Sequence, residues 1–380
     1  MAKDIFSKIL DDSYKRANAQ LGKSFATDAG TRNLIEAVAL CLKNRAGVRA
    51  LLAALLAKLH NRKVDIRKPY TDIAGEPGDD CYSGRLYDER YIQKLTGKPY
   101  NLPINATTAF LTPGFRTKNI VLTTNVALEG RPAEMYKAVL QLFDAIQANR
   151  VSARAVMDEV FRLLIVERGK RKQSIEDLLR DIKRTVDRLP LAAEDIVNLI
   201  GQHLGCKNSS RLPVLIIAAA YKAASEKLGE RILHLHAHNA ADKQTGAAGD
   251  IEITLIGDND VVTAYEMKMK GVTTDDINIA LGKIAAHKDT IQNYIFVTTD
   301  RIDPEIREYA AQKYDETGGI EIAVLNCLSF LRHFLHLFHR ARTAFLDAYQ
   351  ELVLRESESA VSHTLKEAFL SLRKAAEGAK

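Results

Sequence analysis

The chain has 380 residues, enough for two domains of ordinary size. Apolar residues make up 46% and charged residues 27%, a balance typical of globular proteins and not of disordered or fibrous ones. The net charge of +6 permits a nucleic-acid partner without requiring one. No membrane span is predicted, because the longest apolar run, at Leu212–Tyr221, is about half the twenty residues that a span needs.

The cysteines indicate a reducing environment. All four are widely separated and none forms a CxxC pair, which argues against a zinc ribbon and against a disulfide framework. The first residues, MAKDIFSKILDD, lack the apolar stretch of a signal peptide. We therefore expect a cytoplasmic protein.

Residues 1–204 are predicted to be mostly helical, with one irregular segment. Apolar spacing predicts two helices or one kinked helix over 31–60. Further helices are predicted over 133–148, 152–167, 174–187 and 191–204. Segment 66–130 is rich in proline and glycine, so it is predicted to form loops with short strands, notably Asn119–Ala127.

Residues 205–340 alternate helices and strands, and 341–380 are predicted to form a C-terminal helical segment. Ser209 and Ser210 are predicted to cap a helix that ends near Lys227. The predicted elements that follow are strands 250–256 and 261–270, a helix capped by Thr274, strand 294–297, a helix beginning at Asp303-Pro304, and strand 320–325. This order predicts an α/β (mixed α+β) fold, with a mixed sheet flanked by helices and a largely helical N-terminal domain.

Two neighbouring strands carry the strongest chemical signal. In the first, Asp250 and Glu252 are two residues apart and share one face; in the second, Glu266 and Lys268 do the same. Carboxylates from adjacent strands are suitable ligands for Mg²⁺, and a lysine beside them can orient a water or stabilise negative charge on a phosphate. The alternative is an amphipathic hairpin with a solvated charged face.

This pattern, GDIEITLI followed by VVTAYEMKMK, resembles that of the PD-(D/E)xK nucleases. The resemblance implies that Asp250 and Glu266 bind Mg²⁺ and that Lys268 is the catalytic lysine. Gly249 stands where the family often has proline. It also implies a nuclease core of the α-β-β-β-α-β type within residues 205–340.

Two earlier segments, CYSGRLYDER (81–90) and LPINATTAFLTPGFR (102–116), resemble type II restriction endonucleases of the SacI type. That resemblance implies a Mg²⁺-dependent, site-specific deoxyribonuclease that cleaves double-stranded DNA within a short palindrome, GAGCTC in SacI-type enzymes. A palindrome cut by one site per chain implies a homodimer, in which residues 1–204 supply recognition and dimerisation. A cognate DNA methyltransferase is the expected companion of such an enzyme.

Six basic residues are candidate DNA contacts. Arg85, Arg90 and Arg116 could reach guanine edges or phosphates, whereas Lys170, Arg171 and Lys172 form a local basic cluster. Ordinary ion pairs at Arg85 and a solvated turn between helices at 168–172 are the alternatives.

Two further groups could add metal ligands. Glu226, on the preceding helix, could lend a further carboxylate, but the favoured interpretation is an exposed glutamate paired with Lys222 at i,i+4 spacing. The histidines of HLHAH, residues 234–238, have a spacing that could bind zinc on a strand, but no cysteine or carboxylate cluster lies beside them in the sequence.

Two other functions remain open. A DNA-repair or junction-cleaving nuclease could use the same fold, and a non-catalytic DNA-binding protein could keep a degenerate core. The second is disfavoured, because Asp250, Glu266 and Lys268 are all present.

The charged residues of the two strands lie on the same face of the sheet only if the strands pair in a suitable register. Residues directly opposite in an antiparallel pair share a face, so Asp250 must lie opposite Glu266 or Lys268. A two-residue turn would place it opposite Met267, on the wrong face. We therefore predict a three-residue hairpin loop, or an equivalent bulge, around Gly257–Asp260.

Overall fold

The computed structural model describes residues 4–26, 28–70, 78–116, 119–183, 190–235, 247–285 and 290–378. The chain divides into two compact units, Met1–Gln173 and Ser174–Lys380. The division lies inside a long helix, not after residue 204 as predicted from the sequence. The reason is that the end of this helix bonds to the C-terminal region: Ser174 donates to Glu367, and Lys374 donates to Asp181 at 2.6 Å.

The first unit is built from helices around one buried helix. Its helices are α1 (Ile5–Ala19), α2 (Ala29–Ala39), α3 (Ala46–His60), α4 (Gly84–Arg90), α5 (Ala133–Gln147) and the first part of α6 (Ala153–Lys183). Every residue of α3 from Ala46 to Ala57 is buried. A helix that is buried on all sides lies at the centre of a core, and apart from Arg49 the residues from Ala46 to Ala57 are apolar or glycine. Because α2 ends at Ala39 and α3 begins at Ala46, the prediction of two helices over residues 31–60 is confirmed and that of one kinked helix is wrong.

Within its described residues, the irregular segment 66–130 forms loops as predicted except at helix α4 and two short 3-10 helices, Ile92–Thr96 and Ala109–Leu111, and the strand predicted over Asn119–Ala127 is wrong. Of the described residues between 66 and 130, none lies in a strand. Leu122 is buried and donates its backbone N–H to the carbonyl of Arg67 at 2.8 Å, while Thr124 N–H bonds to the Asp144 carboxylate. Loop and side-chain acceptors thus take the bonds that a neighbouring strand would have supplied.

Helix α6 corrects a second prediction, because the two helices predicted at 152–167 and 174–187 are one helix of 31 residues. Gly169 lies inside it, and a single glycine costs a helix only about 1 kcal/mol relative to alanine. An ion pair between Glu167 and Arg171, at 2.6 Å and i,i+4 spacing, spans the glycine and supports the helix. The basic cluster 168–172 is therefore helical and not a turn.

The second unit has a five-stranded mixed sheet with helices on both faces, so the predicted fold class is confirmed. Its helices after α6 are α7 (Ala193–Leu204), α8 (Leu212–Leu228), α9 (Thr274–Ala285), α10 (Pro304–Thr317), α11 (Cys327–Leu337), α12 (Arg342–Arg355) and α13 (His363–Gly378). Its strands are β1 (Glu230–Leu235), β2 (Ile251–Leu255), β3 (Thr263–Lys268), β4 (Asn293–Thr298) and β5 (Glu321–Asn326). The strands lie in chain order; β1, β2 and β3 pair antiparallel, and β3, β4 and β5 pair parallel.

Alternate residues of the strands enter two separate cores. Ile251, Ile253 and Tyr265 pack in the core that contains α7, α8 and the C-terminal helices. Ala264 and Tyr294 pack on the opposite face, with the apolar residues of α9 and α10. Each face of the sheet is therefore covered, as a mixed α/β sheet requires.

The helix ends predicted in this unit are confirmed at α10 and wrong at α8. Asp303 caps α10, Pro304 opens it and Gly318 ends it in the left-handed conformation, as predicted. The serine caps predicted for α8 are wrong: Arg211 holds the N-cap position, and the Ser209 hydroxyl donates to the Leu204 carbonyl. Among the described helices, none is long and apolar enough to cross a membrane.

The second unit encloses a neutral histidine. His203 is fully buried, its Nε2 lies 3.0 Å from the carbonyl oxygen of Leu365, and its Nδ1 lies 3.0 Å from the Tyr349 hydroxyl. A carbonyl only accepts, so Nε2 carries the proton and Nδ1 accepts from Tyr349. Burial lowers the pKa of His203 from 6.5 to about 4.

This histidine should make stability fall as the pH falls from 6.5 to 4. In that range the unfolded chain binds a proton at His203 that the folded protein excludes, which lowers the free energy of unfolding by about 3 kcal/mol at the acidic end. Urea titrations of the wild type and of His203→Gln across this range would measure the effect. The advantage of the wild type over the variant should shrink towards pH 4; a constant difference would contradict the assignment.

Candidate active site

The register of β2 and β3 puts the predicted acidic residues on one face. Ile251 pairs with Tyr265, Glu252 with Ala264 and Ile253 with Thr263. Asp250 immediately precedes this ladder, and continuing the register places it opposite Glu266. The predicted register is therefore confirmed.

The predicted three-residue loop is wrong, because residues 256–262 all lie between the two strands. The β2–β3 ladder ends at the pair of Ile253 and Thr263, whereas β2 itself continues to Leu255 in its pairing with β1. Gly257 takes a φ of 94°, and the Asp258 carboxylate accepts the backbone N–H groups of Asn259 and Asp260.

Asp250 is fixed to β3 through its side chain. Its Oδ2 accepts the backbone N–H of Met267 at 2.7 Å. The preceding Gly249 allows this approach, because a Cβ atom at this position would lie 2.5 Å from the carbonyl oxygen of Tyr265. Gly249 therefore lets the chain before β2 pass directly against the backbone of β3.

Glu266 lies between two lysines. Lys268 Nζ is 3.4 Å from its Oε1, and Lys283 Nζ, from helix α9, is 3.1 Å from its Oε2. The side chain of Glu266 is 17% exposed. Ion pairs in such a half-buried position are less screened by solvent than ion pairs on an open surface.

Lys268 is held from the other side by Asp276, at the start of α9. Its Nζ lies 2.9 Å from Asp276 Oδ1. Burial alone would lower the pKa of Lys268, but the hydrogen bond with Asp276 and the charge of Glu266 outweigh it and raise that pKa. Lys268 is therefore a firmly charged ammonium group.

Asp276 is itself positioned by a capping box. Its Oδ2 accepts both the backbone N–H and the hydroxyl of Thr273, at 2.9 and 2.8 Å, and its own N–H donates to Thr273 Oγ1. Burial by itself would raise the pKa of Asp276. The hydrogen bonds from Lys268 and Thr273 lower it by a larger amount, so the net shift of this pKa is downward. The capping residue is Thr273, not Thr274 as predicted.

Two buried side chains tie the segment before β2 to this face of the sheet. The Tyr294 hydroxyl, on β4, lies 3.0 Å from the carbonyl of Ala248 and 3.3 Å from Glu266 Oε2. Glu252 accepts the backbone N–H of Ala248 at 2.8 Å. Ala248 is thus held at both its polar backbone atoms, two residues before Asp250.

Sequence reasoning missed Asp276, Lys283 and Tyr294. The first two lie seven residues apart on α9, which is two helical turns, so they face the same way. Tyr294 shares a face with Glu266 because Glu266 pairs with Phe296 in the parallel ladder. The seven-residue spacing of Asp276 and Lys283 could have predicted that both face the same side of α9. The position of Tyr294 near Glu266 could not be predicted without knowing that β4 pairs with β3.

Glu226 does not join this group, so its prediction as a metal ligand is wrong. Helix α8 packs on the other face of β3, where the hydroxyls of Tyr221 and Tyr265 are 3.0 Å apart. Glu226 is exposed near the end of α8, and the next strand begins with Glu230 opposite Leu255, at the end of β2 far from Asp250. The simple pairing with Lys222 is also wrong, because Lys222 pairs with Glu351 at 2.6 Å.

The predicted DNA-contacting residues all lie in the first unit. Arg85, Arg90, Arg116, Lys170 and Lys172 are exposed, and Arg171 is half-buried. Arg85 forms an ion pair with Glu89 at 2.8 Å, and the guanidinium of Arg90 lies 5.6 Å from the centre of the Tyr91 ring.

The possible zinc ligands His236 and His238 lie outside the described residues. Within the described ranges, no group of three or more His, Cys, Asp or Glu side chains could hold a metal ion. Asp250 and Glu266 are two carboxylates, and Mg²⁺ is commonly bound through one or two carboxylates with water completing its coordination.

Comparison with known families identifies the part of the chain that contains this site. Residues 192–299 match the family model described as the SacI restriction endonuclease C-terminal domain, and they include every residue of the site. The match covers less than half of the chain, and none of the curated proteins compared with it matches. Residues 192–299 are thus similar to a restriction endonuclease domain, which supports a restriction endonuclease function.

Proposed function

We propose that this chain is a Mg²⁺-dependent type II restriction endonuclease with a PD-(D/E)xK site. The observation that carries the proposal is the register of β2 and β3, which brings Asp250, Glu266 and Lys268 to one face within the segment similar to restriction endonucleases. An amphipathic hairpin with a merely solvated charged face would not need its carboxylates and ammonium groups half-buried and hydrogen-bonded to one another.

The donor set suits a hard divalent cation. Asp250 and Glu266 would hold Mg²⁺, because both offer carboxylate oxygens from adjacent strands on the same face. When bound, Mg²⁺ would stabilise negative charge on the scissile phosphate and lower the pKa of a bound water.

The protein groups would then supply orientation. Lys268, fixed by Asp276, would hold the attacking water in line with the phosphorus and offset the negative charge of the transition state. Tyr294 and Glu252 would hold the segment that carries Asp250, so that the acid keeps its position relative to Glu266. Positioning of this kind is a large part of phosphoryl-transfer catalysis.

Recognition would be the task of the first unit. The exposed residues Arg85, Arg90 and Arg116 could contact bases or phosphates, and the basic cluster of Lys170, Arg171 and Lys172 could contact phosphates. Two chains would act together on a palindrome such as GAGCTC, with a cognate methyltransferase protecting the host DNA.

A cleavage assay on the purified full chain tests the function. Phage DNA and a synthetic duplex with GAGCTC are incubated with Mg²⁺, and the ends of any fragments are sequenced. Discrete fragments that share one short palindrome are expected, with none in EDTA. A four-way DNA junction in parallel separates the repair alternative: cleavage of the junction alone would favour that reading, and no cleavage with Mg²⁺ or Mn²⁺ would refute the enzyme.

A further inference from the structure

Lys268 is shared between two carboxylates, one from its own strand and one from helix α9. Its Nζ is 2.9 Å from Asp276 Oδ1 and 3.4 Å from Glu266 Oε1. All three side chains are less than a third exposed, at 29% for Lys268, 22% for Asp276 and 17% for Glu266. An ammonium group that lost its counter-ions in such a position would be unfavourable, because little water can replace them.

The two carboxylates have different tasks in the proposed site. Glu266 would bind Mg²⁺ at about 2.1 Å from a carboxylate oxygen, which neutralises the charge that attracts Lys268 and brings a second cation close to Nζ. The attraction between Lys268 and Glu266 would then be lost. Asp276 is not one of the proposed metal ligands, so its attraction for Lys268 persists when the metal is bound.

The position of Asp276 is fixed independently of Glu266. Its Oδ2 accepts both the backbone N–H and the hydroxyl of Thr273, at 2.9 and 2.8 Å, while its Oδ1 faces Lys268. The helix that carries Asp276 is anchored by Ile277 and Ile284, which are buried in the core on this face of the sheet. The capping box and the core therefore hold the Asp276 carboxylate in place, in addition to the ion pair.

We propose that Asp276 is a positioning residue that retains Lys268 when the metal takes Glu266. In the metal-free site Lys268 pairs with both acids. When a metal ion binds, Lys268 gives up Glu266, keeps its pair with Asp276 and so stays beside the reacting phosphate. This inference rests on the proposed function, because it takes Glu266 as a metal ligand and Lys268 as the catalytic lysine.

Retention of this kind predicts non-additive effects on metal binding. With Asp276 present, Lys268 can leave Glu266 and still keep a counter-ion, so it competes only weakly with the metal. Without Asp276, Glu266 is the remaining acid of its two ion pairs, and Lys268 competes with the metal for it. Removal of the Lys268 charge should then tighten metal binding about tenfold more than it does in the wild type, a coupling within the range found for residues in contact.

A double-mutant cycle on the full chain measures this coupling. Isothermal titration with MgCl₂ and with CaCl₂, without DNA and at constant pH, gives the metal affinity of the wild type, Asp276→Asn, Lys268→Met and the double variant. Asp275→Asn, alone and combined with Lys268→Met, is the matched control, because it removes the same charge from an exposed residue one position away. Lys268→Met should tighten binding about tenfold more in Asp276→Asn than in the wild type or in Asp275→Asn.

The outcomes separate this inference from the function on which it rests. If the wild type binds metal and Lys268→Met has the same effect in all three backgrounds, or a smaller one in Asp276→Asn, as expected if Asp276 were itself a metal ligand, the inference is overturned and the proposed site stands. If the wild type binds no divalent cation, or Asp250→Asn leaves binding unchanged, both fail. Circular dichroism shows whether each variant is folded, and Asp276→Gln, whose amide can still complete the capping box, replaces Asp276→Asn if that one is not.

Discussion

Asp250→Asn and Lys268→Met should each reduce DNA cleavage by about 10³-fold or more while leaving DNA binding nearly unchanged. Both substitutions keep the approximate shape of the side chain and remove its charge. Asp250 would lose its role as a metal ligand, and Lys268 would lose the ammonium group that Asp276 holds at 2.9 Å. Neither residue is expected to contact base edges, so affinity for the DNA should persist.

Single-turnover cleavage with Mg²⁺ and DNA binding with Ca²⁺ measure the two properties separately. Asp275→Asn and Lys270→Met are matched controls, because each removes the same kind of charge from an exposed residue close to Asp276 or Lys268. The controls should cleave at the wild-type rate. Full turnover by either site variant would remove that residue from the catalytic assignment.

Strands β2 and β3 were predictable because two simple periodicities agree there. Asp250 and Glu252 alternate with apolar residues, as do Glu266 and Lys268, and a sheet with both faces covered tolerates only one alignment of these faces. The register could therefore be deduced without coordinates. The loop length could not, because every odd number of loop residues gives the same alignment of the two faces.

Strand β1 itself was not predicted as an element of the sheet. Its sequence, ERILHL, places Ile232 and Leu233 side by side and lacks clean alternation. Its pairing is also irregular, with a register shift between Ile232 and Leu235. Only contact with β2 selects the extended conformation for this segment, which is a tertiary effect.

Helix α4 was hidden in the irregular segment for a similar reason. It is only seven residues long, too short to be stable from its own propensity. Its Asp88 is fully buried and pairs with the equally buried Arg49 of α3 at 2.6 Å. A buried ion pair between residues far apart in sequence leaves no periodic signal.

The remaining site residues depend on how elements pack and not on local sequence. Lys283 reaches Glu266 only because α9 covers this face of the sheet, and Tyr294 reaches Ala248 only because β4 lies beside β3. The short sequence pattern of β2 and β3 therefore predicts Asp250, Glu266 and Lys268 as a group, while the residues that hold them appear only in three dimensions.

Gly249 gives the sharpest test of that positioning. Gly249→Ala should slow cleavage by about 10²-fold, the cost expected when a catalytic group moves by about 1 Å. A Cβ atom here would lie 2.5 Å from the Tyr265 carbonyl oxygen, a backbone atom that cannot move aside as a side chain could. The chain before β2 must shift instead, and Asp250 shifts with it. Proline, the residue that PD-(D/E)xK nucleases often have at the corresponding position, would also place a Cβ atom against this carbonyl.

Gly282→Ala is the matched control for this substitution. Gly282 lies on the exposed side of α9, next to Lys283, and a Cβ there would meet nothing within 4 Å. It should cleave normally and gain about 0.5–1 kcal/mol of stability, since alanine is the better helix former. The cleavage rates and thermal unfolding of both variants are compared with the wild type. Wild-type cleavage by Gly249→Ala would show that Asp250 does not need this close approach to β3, whereas equal losses in both variants would point to general damage and not to a displaced acid.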